Sequence, residues 1–209
     1  AGRPAAGGRG RSPAAAGGPR AGRGCGAAAK AAEAAGRAST RPPNFIQKAA
    51  KHLDNRRPWM INSIKKEQNI MNELLPLAAE YNVPVVALAM DKDGIPPSSK
   101  ERINVCTQIT EQADKHGVDA SKLFFDPLVM PISSDYKGAT VTFDTLSGIK
   151  KQIPHAKTTM GLSNVSFGLV ERKHVNQAFL IAALSHGLDS AICDPTRQSV
   201  RDAIPIWVI

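Results

Sequence analysis

The chain has 209 residues and a formal net charge of +9, and its longest apolar run, Val83 to Met90, is far too short to span a bilayer. The charge is concentrated at the amino end, where residues 1–43 hold 15 Ala, 10 Gly and 7 Arg and carry +7. Such a composition buries too little apolar surface to offset its ordering entropy. We expect a disordered Ala/Gly/Arg-rich leader over residues 1–43 and a folded domain over residues 44–209.

The leader has three interpretations. It lacks the interleaved Phe or Tyr that would stack on bases, which argues against nucleic acid as a partner. It is Arg-rich and poor in acids like a transit peptide, but Ser is scarce and Gly excessive. A passive or non-native leader is therefore favoured. No hydrophobic signal-peptide core is present, so we expect a cytoplasmic protein.

The cysteines and histidines do not indicate a metal site. Cys25, Cys106 and Cys193 are too far apart in sequence for a zinc knuckle or a redox pair. The five histidines are equally dispersed, with none at metal-ligand spacing. We expect no metal bound by the protein itself.

The first two repeating units of the body each pair an apolar strand with a helix. Met60-Ile61 predicts a strand that ends at Asn62-Ser63, and Val83 to Met90 predicts a second strand buried on both faces. Ser98 or Ser99 can cap the second helix, and Gly117 would stop it. Helical spacing marks the inward positions of the two helices, which are Ile70, Leu74, Leu77, Ala78 and Tyr81, then Ile103, Cys106, Ile109 and Ala113.

Three further units follow. Strands are predicted over residues 123–125, 157–160 and 188–193, and a helix over roughly residues 142–152. The helix after residue 168 has Val175, Ala178, Phe179 and Ala182 at inward spacing, with Gly187 just past its end. Five strand-then-helix units joined by short loops imply right-handed crossovers and a parallel sheet.

The fold class is therefore α/β, and both a doubly wound sheet and a (β/α)₈ barrel are compatible with it. A complete barrel usually needs about 250 residues, whereas the body has 166. Five barrel strands would leave two open edges, which are a hazard for association unless they are covered.

Polar side chains follow three of the predicted strands. Asn62, Asp126 and Asn164 each come after an apolar run, so in a barrel they would converge on one mouth. Two amides and a carboxylate form a donor and acceptor set suited to the amino-pyrimidine face of a nitrogen heterocycle. Taken singly, Asp126-Pro127 could be an ordinary turn and Asn62-Ser63 an ordinary helix cap. Taken together, the three strand ends favour a binding site.

At these residues the chain resembles a known family. The matching segments are Met60 to Ser63, Phe125 to Val129, Gly161 to Gly168 with Arg172 and Asn176, and Gly187 to Ile192. They resemble the pterin-binding methyltransferases, and most of all the 5-methyltetrahydrofolate:corrinoid/iron-sulfur protein methyltransferases. These are relatives of the folate module of cobalamin-dependent methionine synthase and of dihydropteroate synthase. The resemblance covers about residues 44–195.

The resemblance implies a (β/α)₈ TIM barrel that binds 5-methyltetrahydrofolate in its mouth. It also implies transfer of the N5 methyl group to the cobalt of a corrinoid, or cobalamin, carried by a corrinoid/iron-sulfur protein partner. Asn62 and Asp126 would hold the pterin ring, Asn164 would act catalytically near N5, and Ser163 and Arg172 would shape the site or contact the folate. Relatives tend to be homodimers, which the open sheet edges would also favour.

The chain departs from the family pattern at its amino end. The first three barrel strands have no counterpart, so we expect a barrel truncated to about five units, and Ala38 stands where the family has a pterin-contacting Asp. A truncated, non-catalytic pterin-binding module is therefore an alternative to the enzyme. A dihydropteroate synthase-like enzyme is a second alternative. It would need basic residues for a pyrophosphate, and Lys157 lies at the wrong end of its strand for that role.

Overall fold

A computed structural model describes residues 43–53 and 58–204. The expected leader, apart from Pro43, lies outside the described residues. The helices are α1 (Pro43–Ala50), α2 (Gln68–Tyr81), α3 (Ser99–Lys115), α4 (Gly138–Gln152), α5 (Arg172–Ser185) and α6 (Gln198–Ala203). The strands are β1 (Ile61–Lys66), β2 (Val85–Asp91), β3 (Leu123–Asp126) and β4 (Lys157–Thr158). Strand and helix alternate from β1 to α5, which confirms the α/β class.

The four strands form one parallel sheet in the order β1-β2-β3-β4. Right-handed crossovers between strands that follow each other in this order place the connecting helices on the same side of the sheet. A doubly wound sheet would instead reverse its strand order part-way along. The sheet is therefore wound like the wall of a barrel.

The two faces of the sheet differ in burial. On the helix side, Ile61, Val85, Ala87, Leu123 and Phe125 are at most 1% exposed and pack against α2, α3 and α4. On the opposite face, Asn62, Leu88, Phe124 and Asp126 are only half-buried, whereas Val86 is buried. The helices therefore build the main core on one face, and the other face carries the candidate site.

Helix α3 shows how local sequence sets an element's limits. Ser98 is its N-cap, because Ser98 Oγ accepts from Glu101 N at 3.3 Å and Glu101 Oε2 accepts from Ser98 N at 3.2 Å. After its last turn Gly117 takes φ +76°, a conformation that suits glycine. Of the two caps considered from the sequence, Ser98 is thus the one used. All four predicted inward residues of this helix are buried.

The fifth predicted strand, residues 188–193, is present as an extended segment rather than a full strand. Ser190 N donates to Thr158 O at 3.1 Å, and Ile192 N donates to Met160 O at 2.8 Å. Ile192 forms one isolated parallel bridge with Gly161. The segment therefore runs parallel to β4 at the edge of the sheet. The described residues contain four strands, not the predicted five.

Two helix predictions need correction. Helix α4 begins at Gly138, four residues before the predicted start. In α5 the buried residues are Phe179, Leu180 and Ala183, whereas Ala178, which was predicted to face inward, is exposed. Each residue turns a helix by about 100°, so a one-residue error in the apolar stripe moves a side chain off the core face.

No helix among the described residues has the length and apolar character needed to cross a membrane.

Candidate functional site

Asn62 and Asp126 lie on the same face of the sheet. Asn62 pairs with Val86 and Asp126 pairs with Leu88, and residues two apart on a strand point to the same side. β1 and β3 are separated by one strand and the two positions differ by two residues along it, so they are about 12 Å apart on the sheet. Both side chains therefore belong to the face opposite the one that the helices cover.

The position of Asn62 differs from the prediction. It is the second residue of β1, and the strand continues through buried Ile64 to Lys66 instead of ending at Asn62-Ser63. The pairing with β2 is irregular on both sides of Ile64. The capping residue of α2 is Glu67, so Asn62 and Ser63 do not cap that helix.

Asp126 is the last residue of β3 and is held in a tight turn. Its Oδ1 accepts a hydrogen bond from Leu128 N at 2.8 Å, and Leu128 takes φ +63°. This is the Asp turn that the Asp126-Pro127 pair suggests. Burial raises the pKa of Asp126 to about 6, although the Leu128 N–H and the Arg102 charge oppose the shift. The carboxylate is therefore oriented, and at neutral pH it is ionised in surroundings that favour its protonation.

Asn164 is presented by the loop that follows β4. Leu162–Asn164 forms a single 3-10 turn in which Leu162 is buried and Asn164 is exposed. Asn164 Nδ2 folds back over Gly161, and a Cβ built at Gly161 would lie 3.2 Å from it. The amide is thus available to a ligand at the carboxyl end of the sheet.

Arg172 fastens this loop to the start of α5. Its Nη2 donates to Ser163 O at 2.9 Å, and its Nε donates to Ser166 Oγ at 3.1 Å. Ser166 is fully buried, whereas Ser163 is exposed. The structure therefore brings Arg172, Ser163 and Asn164 together, and Arg172 acts on the loop's backbone.

The loop after β3 braces the loop after β4. Ile132 N donates to Val165 O at 3.1 Å, and Ser133 Oγ donates to Phe167 O at 2.7 Å. Gly168 closes the second loop at φ +80°, and a Cβ there would lie 3.3 Å from Ser133 Oγ. Asp126 and Asn164 consequently start from two loops that are bonded to each other.

Arg102 is a site residue that the sequence did not reveal. It lies in the first turns of α3, is 4% exposed, and reaches the backbone beside Asp126. A basic residue at the start of a helix is normally taken as solvated, because the helix dipole disfavours it there. The position of Arg102 between the Ser98 cap and the inward-facing Ile103 did not indicate a buried role in the sequence.

Other features of the described residues lie away from the face of the sheet that carries Asn62 and Asp126. A surface cavity of about 600 Å³ opens between the start of α2 and the outer face of α3 and is lined by Lys66, Gln68, Met71 and polar residues of α3. Among the residues that the structure describes, no group of three or more His, Cys, Asp or Glu side chains is placed to hold a metal ion.

Comparison with known families matches residues 39–194 to the pterin binding enzymes. The chain belongs to the pterin-binding enzyme family. The match spans all five predicted site residues, Asn62, Asp126, Ser163, Asn164 and Arg172. Their individual contacts with a pterin stay predictions.

Two curated members of this family are similar in sequence. Methylcorrinoid:tetrahydrofolate methyltransferase of Eubacterium limosum is 34% identical over 151 residues, which are 71% of this chain and 56% of that protein. Methionine synthase of Mycobacterium tuberculosis is 30% identical over 172 residues, which are 77% of this chain and 14% of that protein. The chain thus spans about half of the first relative and a small part of the second.

A solved structure supports the fold. The dihydropteroate synthase of Coxiella burnetii in complex with pteroic acid aligns with a TM-score of 0.55, covering 80% of this chain and 63% of that one. At 16% identity, this likeness concerns the fold alone. The structural alignment therefore agrees with the barrel-like winding of the sheet in this chain.

Proposed function

We propose that the chain is a methyltransferase that moves a methyl group between N5 of a tetrahydrofolate and the cobalt of a corrinoid carried by a partner protein. The observation that carries the proposal is the shared sheet face of Asn62 and Asp126, with Asn164 on the adjoining loop. The name of the Eubacterium relative supports folate and corrinoid as the substrate classes. A corrinoid/iron-sulfur protein is the proposed partner.

In this proposal Asp126 and Asn62 bind the pterin ring. Asp126 Oδ1 is already bonded to Leu128 N, which leaves Oδ2 to accept from an N–H of the aminopyrimidine. A hydrogen bond to a charged group contributes about 1.5 to 3 kcal/mol. The Asn62 amide both donates and accepts, so it can bond a neighbouring pair of ring atoms. Ser163 and Arg172 contribute as secondary members through the loop that they stabilise.

Asn164 serves the chemical step. When the methyl group leaves N5, the electron pair of the breaking C–N bond stays on nitrogen, which makes N5 more basic, and N5 takes up a proton from water to give tetrahydrofolate. An Asn164 amide N–H that donates to N5 becomes a stronger hydrogen bond as that charge develops, and so it stabilises the transition state more than the ground state. The corrinoid, when bound, supplies the cobalt whose electron pair forms the new bond to carbon. Asn62 and Asp126 would meanwhile hold the pterin ring in one orientation and so fix the position of N5.

The direction of transfer is a separate question. The family resemblance predicts transfer from 5-methyltetrahydrofolate to cobalt, whereas the name of the Eubacterium relative places methylcorrinoid first and tetrahydrofolate second. The same transition state serves both directions, because the forward and reverse reactions cross one barrier. We propose transfer from folate to cobalt as the forward reaction, and both directions are to be assayed.

The direct test incubates the purified chain with 5-methyltetrahydrofolate and cob(I)alamin, and separately with methylcobalamin and tetrahydrofolate. We expect methylcobalamin to form in the first mixture, as followed by its visible spectrum. Binding of 5-methyltetrahydrofolate without turnover in either mixture would favour the non-catalytic pterin-binding module. No measurable pterin affinity would contradict both.

Asn164→Ala tests the role of the amide. We expect it to slow methyl transfer about 100-fold while weakening 5-methyltetrahydrofolate binding only a few-fold, as for loss of a donor that acts mainly in the transition state. Single-turnover rates and a binding titration separate the two effects. Asn104→Ala, which removes an exposed amide of α3, is the matched control and should change neither. An equal loss of binding and rate would assign Asn164 to ground-state binding.

A further inference from the structure

The buried guanidinium of Arg102 joins two loops at the carboxyl edge of the sheet. Its Nε donates to Pro96 O at 2.8 Å in the loop between β2 and α3. Its Nη1 donates to Pro127 O at 2.7 Å and to Leu128 O at 3.1 Å in the loop after β3. Three carbonyls on two loops are therefore held by one side chain.

Burying the Arg102 guanidinium has a free-energy cost. A buried charge loses its hydration and is normally compensated by an ion pair. Among the described residues Arg102 forms no ion pair, and its partners are backbone carbonyls. Burial lowers the pKa of Arg102, opposed by the charges of Asp135 and Asp126, but an arginine stays protonated. A permanent positive charge is thus placed behind the Asp126 turn.

The residues that Arg102 holds are the same ones that orient Asp126. Asp126 Oδ1 accepts from Leu128 N at 2.8 Å, while the carbonyls of Pro127 and Leu128 accept from Arg102. Leu128 has φ +63°, a conformation that a non-glycine residue keeps only when its surroundings hold it there. Arg102 stabilises this conformation by its hydrogen bonds to the carbonyls of Pro127 and Leu128.

We propose that Arg102 is a positioning residue that fixes the Asp126 turn and so orients the Asp126 carboxylate for a cationic or N–H-donating ligand edge. The inference deepens the proposed function and rests on it for the identity of that ligand as a pterin. Arg102 itself contacts no ligand, because its guanidinium is buried among the two loops. Its fork of N–H donors cannot be reproduced by a lysine.

The groups that set the Asp126 titration come from two elements. Arg102 on α3 lowers the pKa of Asp126, and the Leu128 N–H in the following turn does the same. Burial raises the pKa of the Cys106 thiol, also on α3, and the charge of Asp126 contributes to the same rise. Asp135, in the loop after β3, acts on Arg102.

The test uses the full chain with Arg102→Gln and Arg102→Lys. The first readout is the titration of the Asp126 carboxyl, followed by NMR with ¹³C-labelled aspartate and assigned with Asp126→Asn. We expect Arg102→Gln to move the midpoint to higher pH, because the nearby positive charge is gone, and Arg102→Lys to leave it close to the wild type. Arg201→Gln, an exposed arginine on α6, is the matched control and should shift nothing.

The second readout is binding of 5-methyltetrahydrofolate at pH 7. We expect about a tenfold loss of affinity in Arg102→Lys, because one ammonium cannot hold three carbonyls on two loops. In an Asp126→Asn background, Arg102→Lys should reduce the pterin affinity little further. The effects of two substitutions are not additive when one residue acts through the other. If Arg102→Gln fails to fold, Arg102→Lys alone decides.

The outcomes separate the two proposals. A folded Arg102→Gln chain with an unchanged Asp126 midpoint, or an Arg102→Lys chain with full pterin affinity, would overturn the positioning role and leave the proposed function intact. A wild-type chain without pterin affinity would contradict the proposed function, whereas a shifted midpoint in Arg102→Gln would still support the link between Arg102 and Asp126.

Discussion

At the residue scale, the proposed binding role of Asp126 is opposed by its effect on the stability of the fold. Its pKa is raised to about 6 by burial, above the usual value of 3.8 for a free aspartate. The folded chain therefore holds a proton on Asp126 more tightly than the unfolded chain does. As the pH rises from about 4 through 6, the folded state loses this advantage, and at neutral pH the ionised carboxylate destabilises the fold.

Asp126→Asn should therefore stabilise the protein above pH 7 and weaken pterin binding. The asparagine Oδ1 can still accept from Leu128 N, while the cost of a buried charge disappears. A shift of about two pKa units corresponds to at most about 3 kcal/mol. We expect a gain of about 1 to 2 kcal/mol in the free energy of unfolding at pH 8, measured with urea.

The same comparison at pH 3 supplies the control, because the Asp126 carboxyl is then protonated in the folded chain and mostly protonated in the unfolded chain, so the difference should fall close to zero. Comparing the variant with the wild type at each pH cancels the titration of all other groups. A variant less stable than the wild type at pH 8 would show that the Asp126 charge is compensated in the fold. Pterin affinity of the wild type should fall below pH 6 as Asp126 becomes protonated.

At the element scale, the sequence predicted those features of strands and helices that depend on neighbouring residues in the chain. The apolar run before Met90, the Ser98 cap and the stops at Gly117 and Gly187 were all confirmed, since each depends on a few adjacent residues. The exposure of Ala178 was not predicted, because helix phase depends on how neighbouring helices pack.

The candidate site was predictable to a similar extent. The sequence indicated that polar groups gather at the carboxyl edge, and the register places Asn62 and Asp126 on one face. It did not reveal that β1 runs on past Asn62, because pairing with β2 extends a strand beyond its apolar core. Nor did it reveal Arg102, whose partners are backbone carbonyls that leave no pattern in the sequence.

The extended segment beside β4 is fixed by a small polar cluster. Asp189 Oδ2 accepts from Thr158 N at 2.7 Å and from Lys150 Nζ at 2.5 Å. Asp189 N in turn donates to Thr158 Oγ1 at 3.0 Å, and Lys150 Nζ also donates to Ala156 O at 3.2 Å. These side-chain hydrogen bonds add to the few backbone hydrogen bonds between the segment and β4. They therefore help to keep the short segment in register at the edge of the sheet.

Gly187→Ala should disrupt this cluster. Gly187 has φ +94°, and a Cβ there would lie 2.7 Å from Lys150 Cγ, in a side chain held by Asp189. Backbone strain and the displaced lysine together should lower the free energy of unfolding by about 2 to 4 kcal/mol. Urea denaturation measures the loss.

Gly117→Ala is the matched control for backbone strain alone. Gly117 has φ +76°, and no atom lies within 4 Å of a Cβ placed there. We expect this variant to lose only about 1 kcal/mol. Equal losses in the two variants would mean that Lys150 moves aside freely and that the cluster does not hold the segment.

At the scale of the whole molecule, two buried clusters share one helix. The first surrounds β1 to β3, and the second gathers α5, α6 and the loop after β4. Ile149 of α4 belongs to the first and Leu146 to the second, and both are fully buried. Because α4 joins the clusters, we expect the described chain to unfold as one cooperative unit.

The division at residue 44 is a proposal that truncation can test. Residues 1–43 carry +7 of the net charge of +9, while the family match begins at residue 39 and α1 begins at Pro43. We expect chains 39–209 and 44–209 to match the full chain in free energy of unfolding and in pterin affinity, because the leader's composition offers little apolar surface to bury. Both should bind heparin less tightly than the full chain, with a smaller salt dependence. A chain 44–209 that is less stable than chain 39–209 would move the domain boundary to residue 39. A full chain that binds pterin more tightly than both would give the leader a part in the site.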